Sequence, residues 1–269
     1  HIDLRTAPTH GALVSGQMVQ NNPEPLWRGA MRSNPDLPPM FDLHPLPGVA
    51  QVRAEARRFA QSGGAAGTFI WAPDAAQFHA CLILAPEEPP RTAALSLYLG
   101  MLALGDAVGT LIPPGIDLTF LWPNQLNLNA ARVGAVELDL PPNANAMGGE
   151  APEWLLLSFA LAINAAGADL DLHTTTLEDE GCPHIESAAL LETLARHALV
   201  WSNRWRDDGF PPVRAAWAAR VAAETELVPL ETGTGRFLEL DEMGDLVVET
   251  EAGPRTLPLL ERLEEGLKA

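Results

Sequence analysis

Residues 173–184 hold the densest group of potential ligands in the 269-residue chain: His173, Glu178, Asp179, Glu180, Cys182 and His184. A cysteine and a histidine two positions apart, with carboxylates nearby, are types that could hold a transition metal. Zinc sites usually combine two such close pairs, and only one is present, so the expectation is an acidic solvated loop with Cys182 turned inward and no metal. His197 falls beside an apolar helical stripe and is expected as a boundary histidine. Ser158 and Ser187 lack the Gly-x-Ser-x-Gly setting of a nucleophile elbow. No glycine loop of the Walker or dinucleotide type occurs. Trp201, Trp205, Phe210 and Trp217 are expected as packing residues.

A second group centres on Leu121-Trp122-Pro123-Asn124-Gln125-Leu126, which follows the apolar run 116–120. Trp122, Pro123, Asn124, Arg132, Gly134 and Asn164 could line a ligand pocket at the ends of strands. The competing reading places Trp122 in the core, with Pro123 shaping a turn and Asn124 capping it. An open cavity beside Trp122 and Asn164 favours ligand binding. A space filled by Leu121, Leu161 and Ala162 favours a scaffold.

This stretch resembles the signature of the biotin–protein and lipoate–protein ligases, Lys-Trp-Pro-Asn-Asp, a short turn, then a strand opening on a basic residue and a glycine or small residue. The similarity spans residues 49 to about 250. It includes Ile163-Asn164, the segment Leu190 to Trp217, and Gly235 to Val248, which resembles the start of the family's C-terminal SH3-like domain. The run Arg196 to Trp205 is similar to that of a diverged ligase-like branch of unknown function. The resemblance implies an α+β domain with a mixed sheet backed by helices, then a small SH3-like β-barrel. It also implies ATP and biotin or lipoate as ligands where the family activity is kept, a carrier domain as protein partner, and a possible homodimer.

Four departures stand against that activity. Leu121 replaces the lysine that neutralises phosphate, a type of contact worth on the order of 3 kcal/mol in the transition state. Gln125 replaces the aspartate. Ala160-Leu161-Ala162 replaces Gly-x-Gly before Ile163-Asn164. The arginine- and glycine-rich loop between two early strands is reduced to Ala72-Pro73-Asp74-Ala75-Ala76, without either residue type. The expected function is therefore a diverged ligase-like protein that binds a small acyl ligand or a carrier or other partner without making an adenylate. The alternative is an active ligase or acyltransferase with a rewired site, whose nucleophile would be Cys81 or Cys182.

The elements that must position these residues follow from the pattern. Residues 1–48 are proline-rich and are expected as an extended arm, packed through Leu26, Trp27, Met40, Phe41 and Leu43. Helices are expected at 49–61, with Arg53, Arg57 and Arg58 mostly outward, and at 92–108, 187–205 and 213–223. Strands are expected at 67–71 and 77–84 as a hairpin, and at 116–122, 133–140 and 153–164, the last one central. Residues 165–184 read as loop, and 207–212 as a break. Four short strands after residue 225 suggest a barrel or meander, followed by a polar tail at 260–269. The division is arm 1–48, ligase-like domain 49–223 and β domain 224–269.

The totals bound the rest. The chain is 47% apolar with a formal net charge of −18. Such a charge disfavours nucleic acid, and it slows encounter with acidic carriers. Two distant cysteines fit a reduced, cytoplasmic protein. The apolar stretch 93–108 is short for a bilayer span and no leader pattern is visible, so no membrane role is expected.

Overall fold

The computed structural model describes residues 35–144, 149–167, 173–221, 227–230 and 233–266. Its main feature is a seven-stranded mixed sheet. In chain order the strands are β1 (Asp42–Pro45), β2 (Thr68–Ala72), β3 (Gln77–Leu84), β4 (Leu118–Leu121), β5 (Gln125–Leu128), β6 (Ala131–Asp139) and β7 (Leu155–Ala162). Their spatial order is β1-β2-β3-β7-β6-β5-β4. In this sheet β1 and β2 pair in parallel and the other neighbours pair antiparallel. β7, apolar on both faces, sits at the centre, as a strand buried on both sides must.

Helices back both faces. α1 (Val52–Gln61) lays Val52, Ala56 and Ala60 over Ile70, Cys81, Ile83 and Leu156. On the other face lie α2 (Pro90–Ala93), α3 (Ser96–Leu111), α4 (Ser187–Asp208) and α5 (Phe210–Ala218). They enclose the principal core, with Phe69, Phe78, Tyr98, Phe120, Phe159 and Trp217 fully buried. Pro90–Leu111 is long and apolar enough for one membrane crossing, but most of it is buried in this core.

Several expectations are corrected. The helix expected at 92–108 is two, α2 and α3, with Ala94 and Leu95 between them. The break expected over 207–212 narrows to Gly209, whose φ of 71° ends α4, and α5 starts at Phe210 with Pro211 and Pro212 in its first turn. β5 was not anticipated. Residues 260–266, expected as tail, fall in α6 (Leu259–Gly266), with Leu259, Leu260 and Leu263 on the core. Of the arm, Leu26 and Trp27 lie outside the described residues. Phe41 meets Phe69 edge-on at 5.2 Å and Leu43 packs on the core, whereas Met40 is 54% exposed.

After α5, strands β8 (Leu227–Leu230), β9 (Gly233–Leu240), β10 (Leu246–Thr250) and β11 (Gly253–Leu257) form an antiparallel meander. Among the described residues it is an open sheet, not the closed barrel expected, because β8 and β11 are its two edges. Leu240, Leu246 and Val248 join the principal core beside Tyr98 and Trp217. Asp245 ties the turn after β9 to the rest, accepting from Leu259 N at 2.9 Å and pairing with Arg91 at 2.7 Å.

Candidate functional site

In-register partners in a sheet share a face. The pairings Leu121↔Gln125, Gln125↔Ala135, Ala135↔Ala160, Ala160↔His79 and His79↔Ala72 therefore place one row of side chains across six strands. Alternate residues, Phe120, Leu126, Val136, Phe159, Phe78 and Trp71, point into the principal core. The row lies on the α1 side of the sheet. There α1 packs on β2, β3 and β7 and reaches β6 through Arg53 and Arg57, and Leu121, Gln125, Ala135, Ala160 and His79 remain half-buried. Three departures noted in the sequence, Leu121, Gln125 and Ala160, thus fall on a single row, and Ala72 at its end begins the shortened turn. Ala162, next on that face of β7, is also half-buried.

The row carries no formal charge. Burial works to lower the pKa of His79, and a hydrogen bond to the Val49 carbonyl only partly opposes it, so the ring is held neutral. On the neighbouring rows Glu137 and Asp139 are acidic, but both are answered by α1. Arg53 donates to Asp139 at 2.7 and 2.8 Å and also meets Glu137, and Arg57 reaches Asp139 at 2.6 Å. These arginines were expected to be mostly outward; they stay partly exposed, with their guanidinium groups held by the carboxylates beneath the helix. Burial alone would raise the Asp139 carboxyl, but the hydrogen bonds from Arg53 and Arg57 outweigh it and hold it below the usual range.

The six residues expected to line a pocket are dispersed around this row. Trp122 is 8% exposed and belongs to the principal core, its Nε1 donating to Tyr98 Oη at 2.9 Å. Pro123, after a cis peptide bond, completes the turn from β4 to β5. The Asn124 carbonyl accepts from Val136 N at 3.0 Å. Arg132 is exposed, and its backbone bonds His173 and Thr175 at 2.8 and 2.9 Å. Gly134 is required by packing, because a Cβ there would lie 2.3 Å from the Ala160 carbonyl oxygen. Asn164 donates Nδ2 to the Ala75 carbonyl at 2.9 Å and accepts from Ala166 N at 3.0 Å. It thereby braces the shortened turn, where Asp74 Oδ1 also accepts from Ala76 N and Gln77 N at 2.8 and 2.9 Å. Two cavities among the described residues, one beside α1 and one between α3 and α4, include none of the six.

Leu161 points to the core, whereas Leu121 and Ala162 stay half-buried, so the row is shallow rather than plugged. Beside it, Thr119 and Asn127 are paired across β4 and β5, and both are buried with an unpartnered side-chain oxygen. Sequence reading missed His79, Ala135, Asn127 and the Arg53–Arg57–Asp139 clasp. The alternation Gln77-x-His79 in an otherwise apolar strand was the available signal.

Neither thiol is poised for nucleophilic attack, which needs thiolate. Cys81 lies under α1, 3.1 Å from Ser158 Oγ, and burial pushes its pKa up to about 11. Cys182 is fully buried and burial raises it too. Its loop is stitched by Thr175 and Asn129 to Glu180 and by Thr176 to Asp179. No group of three potential metal ligands converges among the described residues.

Comparison with known proteins gives a consistent result. A model of the "Biotin/lipoate A/B protein ligase family" matches residues 37–219. A biotin–[acetyl-CoA-carboxylase] ligase of Paracoccus denitrificans is 28% identical over 202 residues, 71% of this chain and 81% of that protein. Among solved structures, a biotin protein ligase-like protein of unknown function from a Silicibacter species superposes with a TM-score of 0.77. It has 25% identity, over 85% of this chain and 98% of that one. The biotin protein ligase of Aquifex aeolicus superposes with a TM-score of 0.66 at 18% identity, over 81% and 96% of the two chains, and has also been solved with biotin and ATP.

Proposed function

The chain belongs to the biotin/lipoate A/B protein ligase family, and from that premise we propose that it is a diverged member which binds a small acyl ligand or a carrier-type partner without synthesising an acyl-adenylate. One observation carries the reading: the cross-strand row Leu121–Gln125–Ala135–Ala160–His79 has no formal charge. Attack of a carboxylate on ATP brings two anions together, and the electrostatic stabilisation that makes this possible is usually the largest catalytic contribution. The residues of the row do not fit ATP. The turn where a phosphate loop would stand is instead closed by Asp74 and Asn164.

In this reading an acyl chain lies along Leu121, Ala135, Ala160 and Ala162, with Gln125 and neutral His79 available for polar contacts. Asn124, Arg132, Gly134 and Asn164 border it, and Trp122 supports it from the core side. The meander after α5 takes the place of the family's SH3-like domain. The setting is cytoplasmic and reducing. ATP–pyrophosphate exchange with biotin, lipoate and octanoate tests the proposal. No exchange is expected with any of the three acids, and exchange well above background with one of them would overturn it.

The second reading, an active biotin ligase with a rewired site, is favoured by the 28% identical relative. Its acyltransferase form would need Cys81 or Cys182 as nucleophile. The burial of both thiols weighs against that form.

A further inference from the structure

On the helical side of the molecule, opposite the row, a cavity of about 350 Å³ opens between α3, α4 and the end of α5. Among the described residues it is lined by Gly105, Asp106, Gly109, Thr110, Leu118, His197 and Arg220. We propose that this groove is a second binding site, for a small oxyanion or an oxyanion-bearing metabolite. It does not depend on what the sheet face binds.

Arg220 is the anchor. Its Nη2 donates to Asp106 Oδ1 at 2.6 Å, its Nη1 reaches the Ala216 carbonyl at 3.4 Å, and the guanidinium lies 5.8 Å from the centre of the Phe120 ring. Those contacts fix the fork in space, and the other three of its five N–H donors have no partner among the described residues. A planar fork already held in place loses little entropy on binding an oxyanion.

Asp106, the one carboxylate among the described lining residues, has both oxygens engaged: Oδ1 with Arg220, and Oδ2 with Trp201 Nε1 at 2.8 Å. Its charge is paired with that of Arg220. Thr110 Oγ1 donates to the Asp106 carbonyl at 2.8 Å and lies 3.2 Å from His197 Nε2, while His197 Nδ1 is 3.9 Å from Asp106 Oδ2. Thr110 and His197 both line the groove together with Arg220.

Gly109 supplies an independent indication. A glycine in an exposed stretch of helix is about 1 kcal/mol worse than alanine. Gly105, one turn earlier, is required by packing, since its Cβ would lie 2.7 Å from Phe120. A Cβ on Gly109 would meet nothing within 4 Å. Packing does not need that glycine, which lines the groove. At about 350 Å³ the space is at the small end of ligand pockets, near 300 Å³. The net charge of −18 opposes anions at long range, so affinity is expected to be modest.

The test is titration of the full chain with inorganic phosphate, and separately acetate, at constant ionic strength. The reporter is the Trp201 indole N–H resonance, which is bonded to Asp106. A saturable shift with a Kd of about 1 mM is expected for at least one anion, and which one saturates tells a phosphoryl group from a carboxylate. Gly109→Leu, which fills the groove and removes no polar group, is expected to weaken binding more than tenfold. Arg220→Lys, which keeps the charge but not the fork, gives a second readout in the same direction. The absence of saturation with both anions, or unchanged binding in a folded Gly109→Leu protein, would overturn the site.

Discussion

Leu121 and Asp139 show how single residues set what the sheet face can do. Leu121 heads a neutral row, and one cation placed there would not recreate phosphate handling, because the turn at 73–76 still has no arginine or glycine. The Leu121→Lys protein is therefore expected to show no ATP–pyrophosphate exchange with biotin; measurable exchange would mean that the lysine alone had been missing. Asp139 is clasped by two arginines that are 32% and 43% exposed. Asp139→Asn is expected to cost about 1–2 kcal/mol in urea denaturation at neutral pH, less than a fully buried pair because the arginines can turn to solvent. The folded carboxyl titrates below its unfolded value. Its contribution is thus complete above the unfolded value, near pH 4, and fades as the pH falls through the folded one. The two proteins should converge in acid, and a difference that persists at the lowest pH would contradict the clasp.

At the scale of elements, what the sequence revealed depended on how strongly each local signal was written. The apolar runs of β3 and β7 and the long stripe of α4 were legible because burial dictates their periodicity. The row was not legible, since register, not composition, creates it. β5 was hidden by its brevity and by its turn. Asn129 and Ala130 connect β5 to β6 with φ of 46° and 69°, a two-residue turn with both values positive. Such turns favour Asn-Gly, and alanine at the second position gives no signal while straining the backbone. Ala130→Gly is accordingly expected to stabilise the protein by about 0.5–1 kcal/mol, seen as a higher denaturation midpoint. A lower midpoint would mean that the Ala130 methyl makes contacts which outweigh the strain. α6 escaped for a related reason: eight residues with three leucines carry too little pattern to distinguish a helix from a tail.

Across the whole molecule, the tryptophan of the Trp-Pro-Asn signature is coupled to the C-terminal meander. Trp122 Nε1 donates to the Tyr98 hydroxyl, which donates in turn to the Gly244 carbonyl in the turn between β9 and β10. Around that chain, Phe210 and Trp217 pack on Tyr98, and Phe237 of β9 packs on Trp217. A meander sharing its core this fully with α3 and α5 cannot be removed as an independent module. Tyr98→Phe keeps the ring but leaves a buried indole N–H and a buried carbonyl unpaired, each worth about 1–3 kcal/mol, so a loss of about 2–4 kcal/mol is expected. Deleting residues 227–269 would go further, uncovering Tyr98 and Trp217, both fully buried in the intact chain. That shortened chain is expected to lose cooperative thermal unfolding and to aggregate, as a core with a large apolar face exposed does. A soluble 1–226 fragment that melts cooperatively near the full chain's temperature would show instead that the sheet and its helices fold alone, and that the Trp122–Tyr98–Gly244 chain is only a contact between separately stable parts.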